Sequence, residues 1–290
     1  MIPVAELPRH PWQQVSPCDG ACSAAEPQES AAWLRAVRWA ALVTVMLAGL
    51  LALALAYPCG ATARRVVIRG GARAMLFAIG MRVEPVGNVP LRSLVVANHQ
   101  SLLDIVAIAS IAPAAFVAKA DIFDVRPVAV LMRAFGAIPL RRERLSELPR
   151  TVEQVAELLG RGRTVALFPE GTTYCGFHRG EFRPAFFQAA IDARVDVVPV
   201  SLRYSMRLPG PARGARQSAV AAYVGADTEV STLARVIGAR GVAVRVHAIE
   251  VIDAAQWALP GRVALAARAE AAVFADAEFL DAPARLPLVA

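Results

Sequence analysis

Short apolar runs rich in β-branched residues alternate with longer amphipathic stretches from about residue 86 onwards. The short runs predict strands, and they lie at 93–97, 114–118, 137–140, 164–168, 195–202, 218–224 and 242–251. The longer stretches predict helices, and they lie at 102–112, 126–134, 147–160, 184–193, 228–238 and 258–275. Strands that alternate with helices are typical of a parallel sheet. We therefore predict an α/β domain over residues 86–275, with a mostly parallel sheet flanked by helices, and a C-terminal tail at 276–290.

One long run, from Trp39 to Tyr57, carries no charge. An apolar helix of about 20 residues crosses the hydrocarbon core of a bilayer, and aromatic residues at its two ends are typical of the membrane interface. The run predicts an N-terminal transmembrane helix over residues 31–58, with a buried core helix and a cleaved signal peptide as alternatives. Residues 1–30 contain five prolines among small and polar residues, which predicts a mobile Pro-rich tail.

Basic residues are distributed unequally around this run. Arg35 and Arg38 precede it, whereas four arginines follow it, at 64, 65, 69 and 73. Because the more basic flank is normally cytoplasmic, we expect a single-pass protein of the inner (cytoplasmic) membrane with the α/β domain on the cytoplasmic side. Residues 59–85 then form a basic juxtamembrane or interfacial segment. The apolar run at 74–81 is too short to span, so it should lie in the interface or pack under the following domain.

The chain carries 31 Lys and Arg against 24 Asp and Glu, a formal net charge of +7. Such a charge suits nucleic acid, but the basic residues are scattered, and their one tight cluster adjoins the apolar run, where anionic lipid headgroups lie. We therefore expect membrane lipids, and no nucleic acid, as partners. Cys18 and Cys22 have no second ligand pair at zinc spacing downstream, and Cys175 and His178 are interpreted as incidental, so we predict no metal site.

The first candidate chemistry lies in residues 98–104, directly after the predicted strand at 93–97. On a regular helix His99 and Asp104 would diverge, so they can meet only if His99 lies in the turn before the helix and Asp104 in its first turns. In that arrangement the carboxylate accepts a hydrogen bond from the imidazole Nδ1 and leaves Nε2 free as a general base. Ser101 is interpreted as the helix N-cap, with a serine nucleophile as the alternative.

A second candidate follows the predicted strand at 164–168, in the order Phe168, Pro169, Glu170, Gly171 and Thr172. A strand that ends in proline and glycine turns tightly at the carboxyl edge of its sheet, which is where open α/β sheets build their sites. The glycine allows the backbone to approach a ligand closely, and the threonine supplies a hydroxyl donor.

Together the two motifs resemble those of the glycerolipid acyltransferase family, which includes the 1-acylglycerol-3-phosphate acyltransferases. Two shorter blocks, Gly136 to Arg142 and Val198-Pro199-Val200, are similar to further blocks of that family, and Lys119 matches a lysine that commonly precedes the first block. The resemblance covers about residues 86–205. The residues that carry the match without a role of their own in the chemistry are Asn98, Gly136, Phe168, Pro169 and Pro199.

The resemblance implies a membrane-bound O-acyltransferase that moves a fatty acyl group from acyl-CoA or acyl carrier protein to the free hydroxyl of a lysophospholipid. The expected acceptor is 1-acylglycerol-3-phosphate, the product is phosphatidic acid, and no cofactor is implied beyond the acyl thioester donor. The site residues that it implies fall into three groups: His99 and Asp104 as the catalytic pair, Lys119 and Arg142 as ligands of the acceptor phosphate, and Glu170, Gly171 and Thr172 as organisers of the acceptor site.

Two departures from the family pattern leave the acceptor headgroup open. Arg141 stands where many members have an acidic residue, and Arg183 stands in place of a lysine. Another lysolipid, such as a lyso-ornithine lipid, therefore stays an alternative acceptor. A lipid or thioester hydrolase that uses the same His–Asp pair with water is an alternative of a different class.

Overall fold

A computed structural model describes residues 15–23, 30–124, 129, 132, 136–141, 144–207, 214–253, 256 and 259–275. The α-helices with described bounds are α1 (Ala32–Ala56), α2 (Gly60–Ala78), α3 (Leu103–Ile111), α4 (Leu148–Gly160), α5 (Phe187–Ala193), α6 (Glu229–Gly238) and α7 (Gly261–Phe274). The strands are β1 (Arg82–Val86), β2 (Leu94–Ala97), β3 (Ala115–Lys119), β4 (Ile138–Leu140), β5 (Val165–Leu167), β6 (Val197–Arg207), β7 (Ala215–Gln217) and β8 (Val242–Ala248). Short 3₁₀ turns lie at Gly20–Cys22, Ala120–Asp124 and Leu145–Glu147.

The described strands form one sheet in the order β1–β8–β6–β2–β5–β3–β4, with β7 paired to β6. Five of the seven pairings are parallel, and the two antiparallel ones join β6 to β7 and to β8. The predicted α/β class with a mostly parallel sheet is confirmed. Because β6, β2, β5, β3 and β4 run in the same direction, their carboxyl ends meet at one edge of the sheet, which we call the carboxyl edge.

The central strand β2 shows why the sheet is covered on both faces. Leu94 and Val96 pack with α4, α5 and α7, whereas Val95 and Ala97 pack with α2, α3 and α6. Successive side chains of a strand point to opposite faces, so a continuous apolar run needs helices on both sides. The run at 93–97, predicted as a strand because it is short, apolar and rich in β-branched residues, is confirmed as β2.

Two parts of the predicted strand pattern are wrong. Residues 218–224 form no strand; the chain pairs only over β7 and then turns, although Ala219 and Ala222 are fully buried beside Cys18 and Tyr174. A short apolar run is the signature of any buried segment, and periodicity alone does not separate a buried loop from a strand. Conversely β1, which pairs in parallel with β8, was not predicted as a strand, and it begins four residues before the predicted start of the domain at 86.

The predicted helix at 126–134 lies largely outside the described residues, and the predicted C-terminal tail at 276–290 lies entirely outside them.

The segment predicted as juxtamembrane, residues 59–85, is built into the domain. After the turn at 57–59 the chain reverses, and α2 packs back along α1 and against α3. Arg69 and Arg73 donate hydrogen bonds from Nε to the Ser110 carbonyl oxygen, at 3.3 and 3.0 Å. Leu76, like Ile79 and Met81 that follow α2, is buried in the core. Of the two alternatives for residues 74–81, the structure therefore has the run packed under the domain.

The start of α1 is also fastened to the domain. The Ser30 hydroxyl donates to the carbonyl oxygens of Ile237 and Gly238, and Arg38 Nη1 donates to those of Ile237 and Ala239, both at 2.7 Å. Residues 15–23, which fall within the predicted mobile tail, pack on the domain as well. A single crossing would separate these segments from the domain by a bilayer. These contacts make α1 and α2 a helical hairpin with both ends at the domain, which does not agree with the expected single-pass topology.

Candidate active site

His99 and Asp104 meet at the carboxyl end of β2. His99 lies in the turn after the strand, Asp104 lies in the first turn of α3, and Nδ1 of His99 is 2.8 Å from Oδ2 of Asp104. The same carboxylate oxygen accepts the backbone N–H groups of Gln100 and Ser101, at 2.6 and 2.8 Å. The pair adopts the arrangement that its spacing predicted, because the turn wraps the backbone around the carboxylate. Leu102 takes the N-cap position, and the Ser101 hydroxyl accepts the N–H of Leu103.

Tyr204 completes this network from the neighbouring strand β6. Its hydroxyl donates to Oδ1 of Asp104 at 2.6 Å, and both side chains are fully buried. Burial, together with the negative charge of Asp104, raises the pKa of Tyr204 well above its ordinary value, so the phenol stays a donor. The sequence analysis missed this residue, which lies 100 positions from Asp104. The one feature of the sequence that points to it is its position: it is a tyrosine, with a polar hydroxyl, two residues after the predicted strand at 195–202.

The other side of the imidazole is left for a reactant. The His99 ring stacks on Phe168, with centroids 3.9 Å apart and planes inclined by 8°. Its side chain keeps 10% of its surface exposed. Nε2 makes no hydrogen bond within the part of the chain that the structure describes. A nitrogen held in this way, with its partner nitrogen on a buried carboxylate, is suited to general-base chemistry.

Glu170 acts on the backbone of the histidine turn. Its Oε2 accepts the N–H of His99 at 2.6 Å and its Oε1 accepts the N–H of Gly180 at 2.8 Å. Burial raises the pKa of the Glu170 carboxyl from its ordinary 4.5 to about 8, although these two N–H groups act in the opposite direction. The residue predicted to organise the acceptor site therefore joins the two sequence motifs to each other.

The rest of the second motif shapes the turn. Gly171 has a φ of +73°, which favours glycine, and its N–H donates to the Phe168 carbonyl oxygen. The carbonyl oxygen of Pro169 accepts the N–H of Arg183 at 2.9 Å. Thr172 is half-buried, and its hydroxyl forms no hydrogen bond with the described residues.

The supporting motif residues have separate structural tasks. Asn98 clamps β2 to β6: its Nδ2 donates to the Leu202 carbonyl oxygen at 3.0 Å and its Oδ1 accepts the Leu202 N–H at 2.7 Å. Pro199 lies in β6 opposite Val96. Gly136, with a φ of +76°, precedes β4 and so lies at the end of that strand remote from the carboxyl edge. It is a turn residue and is not brought to His99.

Of the two expected phosphate ligands, the backbone of one is described, and it ends a strand at the carboxyl edge. Lys119 is the last residue of β3, and Arg142, which lies outside the described residues, comes two positions after β4. Arg141, the departure from the family pattern, forms an exposed ion pair with Glu147 at 3.3 Å. Arg144 pairs with the same carboxylate at 3.2 Å, so one acidic residue is shared by two arginines.

A second group of reactive side chains, interpreted above as incidental, comes together away from His99. Cys18, Cys22, Cys175 and His178 place their ligand atoms within 4.8 Å of one another. The prediction of no metal site was based on the lack of a ligand pair downstream of Cys22, but the fold supplies that pair.

Comparison with known proteins agrees with the motifs. A family model described as Acyltransferase matches residues 81–203. The chain is 32% identical over 226 residues to the 1-acyl-sn-glycerol-3-phosphate acyltransferase of Neisseria meningitidis serogroup B, covering 75% of this chain and 85% of that one. It is 31% identical over 177 residues to the lyso-ornithine lipid O-acyltransferase of Pseudomonas aeruginosa, covering 60% of this chain and 65% of that one.

A solved structure has the same fold. The 1-acyl-sn-glycerophosphate (LPA) acyltransferase of Thermotoga maritima superposes with a TM-score of 0.62 at 22% identity, over 88% of this chain and 97% of that one. The resemblance first seen in the motifs is therefore confirmed over most of the chain.

Proposed function

Because the chain belongs to the acyltransferase family that includes the 1-acyl-sn-glycerol-3-phosphate acyltransferases, we propose that it acylates 1-acylglycerol-3-phosphate to give phosphatidic acid. It is an O-acyltransferase of the lysolipid type. The acyl donor in this proposal is acyl-CoA or acyl carrier protein, and no cofactor takes part. The observation that carries the proposal is the buried Asp104–His99 pair, whose free Nε2 lies at the carboxyl edge.

The reaction needs one base and no covalent enzyme intermediate. Nε2 of His99 takes the proton of the acceptor hydroxyl as its oxygen attacks the thioester carbonyl carbon. Asp104 holds Nδ1–H and stabilises the imidazolium that forms. When the tetrahedral intermediate collapses, the C–S bond breaks and His99 returns the proton to the leaving thiolate. Each turnover therefore consumes one thioester and one lysolipid, and yields one diacyl lipid and one free thiol.

The order of the strands sets the distance over which the acceptor would be held. β2 and β4 are separated by β5 and β3, which amounts to three strand spacings, or about 14 Å between the backbones. A histidine and an arginine extended from the two ends span most of that gap, and the remainder suits the few bonds between a phosphate and a neighbouring hydroxyl. Arg142 is therefore our choice as the phosphate ligand, with Lys119 at the strand between them.

A lyso-ornithine lipid is the second candidate acceptor. The relative from Pseudomonas aeruginosa bears that name at nearly the same identity as the phosphatidate-forming ones. Such an acceptor has no phosphate, so it would not need Arg142. Lys119, the last residue of β3, and Arg142, two positions after β4, are cations suited to a phosphate, so we favour the phosphate-bearing lipid.

The α1–α2 hairpin is our candidate for membrane attachment. α1 is 25 residues long and apolar enough to cross a membrane. Only 17% of its most apolar 18-residue stretch is buried within the protein. Val43, Leu47, Leu51 and Leu55 are exposed at four-residue intervals, which places them on one face. Because both ends of the hairpin are held by the domain, we propose that it inserts from the cytoplasmic side without carrying the N-terminus across.

The deciding experiment is transfer by the purified full-length protein in detergent, with acyl-CoA or acyl carrier protein and a panel of lysolipids. Products are identified by mass spectrometry and free thiol is measured in the same reaction. Diacyl product equal to thiol released supports transfer, whereas thiol and free fatty acid without acceptor acylation would mean a hydrolase. His99→Ala should abolish turnover, and equal use of a phosphate-free acceptor would end the phosphatidate assignment.

A further inference from the structure

Three thiols and one imidazole come together where the N-terminal segment, residues 15–23, packs on the loop at 174–180. Sγ of Cys18, Cys22 and Cys175 and a ring nitrogen of His178 all lie within 4.8 Å of one another. Sγ of Cys175 is 3.4 Å from Nδ1 of His178. We propose that these four residues form a structural zinc site. Nothing in the acyl-transfer chemistry uses them, and the proposal does not depend on the acceptor or the donor.

The ligand set is the one that zinc prefers. Structural zinc sites are tetrahedral and take four protein ligands, with Cys₃His among the recurrent combinations. A Zn–S distance of about 2.3 Å places tetrahedral ligand atoms about 3.8 Å apart, so the cluster needs to contract by about 1 Å at most from the arrangement present. Binding displaces the three thiol protons and uses the neutral imidazole. A closed set of four leaves no open position for substrate, which assigns the ion a structural task.

Each half of the cluster is a short chelating loop. Cys18 and Cys22 enclose three residues, within the usual spacing of two to four, and Cys22 is the last residue of the 3₁₀ turn at Gly20–Cys22. Cys175 and His178 enclose two residues, and Gly176 between them has a φ of +93°. A Cβ at that glycine would collide with the Gln100 side chain, so the second loop is closed tightly against the histidine turn.

The surroundings of the cluster match those of a buried thiolate site. The backbone N–H of Cys175 points at Sγ of Cys18, 3.3 Å away, and such N–H donors support metal-bound thiolates. Cys18 and Cys175 are buried with Tyr174, Ala219 and neighbouring apolar residues, whereas Cys22 is half-buried and His178 is exposed. A disulfide would use two of the three sulfurs and give no reason for the third sulfur and the imidazole.

The site would fasten the N-terminal segment to the loop beside the active site. The two loops are joined across 157 positions of sequence. On the domain side, Tyr174 donates its N–H to the His99 carbonyl oxygen and Gly180 donates to Glu170, each at 2.8 Å. The ligands Cys175 and His178 lie between these two anchors. A zinc ion there holds the segment at 15–23 and the loop at 174–180 as one unit.

The test is the metal content of the full-length protein, purified in detergent under reducing conditions without a polyhistidine tag or chelator. Mass spectrometry of the metal should find one zinc per chain, and Co²⁺ exchanged for it should give the thiolate charge-transfer and tetrahedral absorption bands. Cys18→Ser, Cys22→Ser, Cys175→Ser and His178→Ala should each lower the zinc content well below one per chain. The matched control is Cys59→Ser, because Cys59 is exposed at the start of α2 and lies outside the cluster; it should keep the full zinc content.

Hydrogen exchange is measured on the wild-type protein, so its result does not depend on whether any variant folds. Removal of zinc by a chelator should speed amide exchange in residues 15–23, and adding zinc back should restore protection. Three results would each overturn the proposal: no bound zinc and no cobalt bands in protein with reduced thiols, full zinc retained in the ligand variants, or a Cys18–Cys175 disulfide in protein taken directly from cells.

Discussion

Asp104→Asn isolates the charge of the buried carboxylate from its geometry. In the wild type, Oδ2 accepts three hydrogen bonds, from His99 and from the backbone of Gln100 and Ser101, while Oδ1 accepts the Tyr204 hydroxyl. An asparagine whose carbonyl oxygen takes the Oδ2 position keeps the first three. Its NH₂ group then donates to the Tyr204 oxygen once that hydroxyl rotates. We therefore expect the variant to fold with the imidazole in place but without the negative charge.

The loss of rate follows from the imidazolium that forms during acyl transfer. Two unit charges about 4 Å apart attract each other by about 4 kcal/mol at an effective dielectric of about 20. Each 1.36 kcal/mol changes the rate about tenfold, so removal of the charge should lower the rate by about 10³, within the range of about 10²–10⁴ typical of positioned acid–base groups. The bond between Nδ1 and the carboxylate is short, and the Asp104 carboxylate is fully buried, so water does little to screen it.

The assay is kcat/KM for thiol release from acyl-CoA in the presence of 1-acylglycerol-3-phosphate. The control is Asp192→Asn, because Asp192 is an exposed aspartate of α5 that contacts only Gln188 through the described side-chain bonds; it should leave kcat/KM unchanged. If Asp104→Asn keeps kcat/KM within tenfold of the wild type and has an unchanged thermal midpoint, the general-base role of His99 with this carboxylate is refuted.

Four further perturbations test other parts of the structure. Tyr204→Phe leaves Oδ1 of Asp104 buried without a donor, so denaturant titration should show a loss of about 1–3 kcal/mol in the free energy of unfolding. Glu170 binds its proton more tightly when folded, with a pKa of about 8 against 4.5, so the free energy of unfolding should fall as the pH rises through that window, and Glu170→Gln should flatten the slope. Arg142→Ala should cost about 2–4 kcal/mol in kcat/KM for the lysolipid, with partial recovery in Arg142→Lys and little change in the KM of the thioester. Leu51→Arg on the exposed face of α1 should shift the protein from the membrane to the soluble fraction on carbonate extraction, and unchanged sedimentation with membranes would contradict the role of the hairpin.

The contact between His99 and Asp104 could be predicted from the sequence because the two residues lie close together in the chain. His99 and Asp104 are five residues apart, and only a turn followed by a helix lets them meet, so strand, turn and helix could be inferred together. Tyr204 contacts the same carboxylate from 100 positions away. That contact depends on β6 lying beside β2 in the sheet, and the order of strands is not encoded in any one segment.

The topology expected for the apolar run does not agree with the contacts of its flanks, for a related physical reason. Hydropathy and flanking charge predict whether and in which orientation a helix inserts into a membrane, but they do not predict how two helices pack against each other. Arg69 and Arg73 counted as cytoplasmic charge in the sequence, whereas in the structure they bond to the Ser110 carbonyl oxygen. Arg38, counted on the opposite flank, bonds to the end of α6. Charges already engaged by the domain report on packing, and arginines from both flanks are held by the domain.

A loop outside the family motifs supports both motifs through hydrogen bonds. The loop at 174–180 donates to the His99 carbonyl oxygen and to Glu170, and Gln217 donates to the Gly176 carbonyl oxygen at 2.6 Å. Glu170 in turn holds the N–H of His99. The backbone of His99 is therefore held on both sides: its carbonyl oxygen accepts from Tyr174 of the loop, and its N–H is accepted by Glu170, which the same loop holds through Gly180. Cys175 follows Tyr174 directly in that loop. A rigid imidazole needs that loop fixed, and the N-terminal segment that packs there offers the means of fixing it.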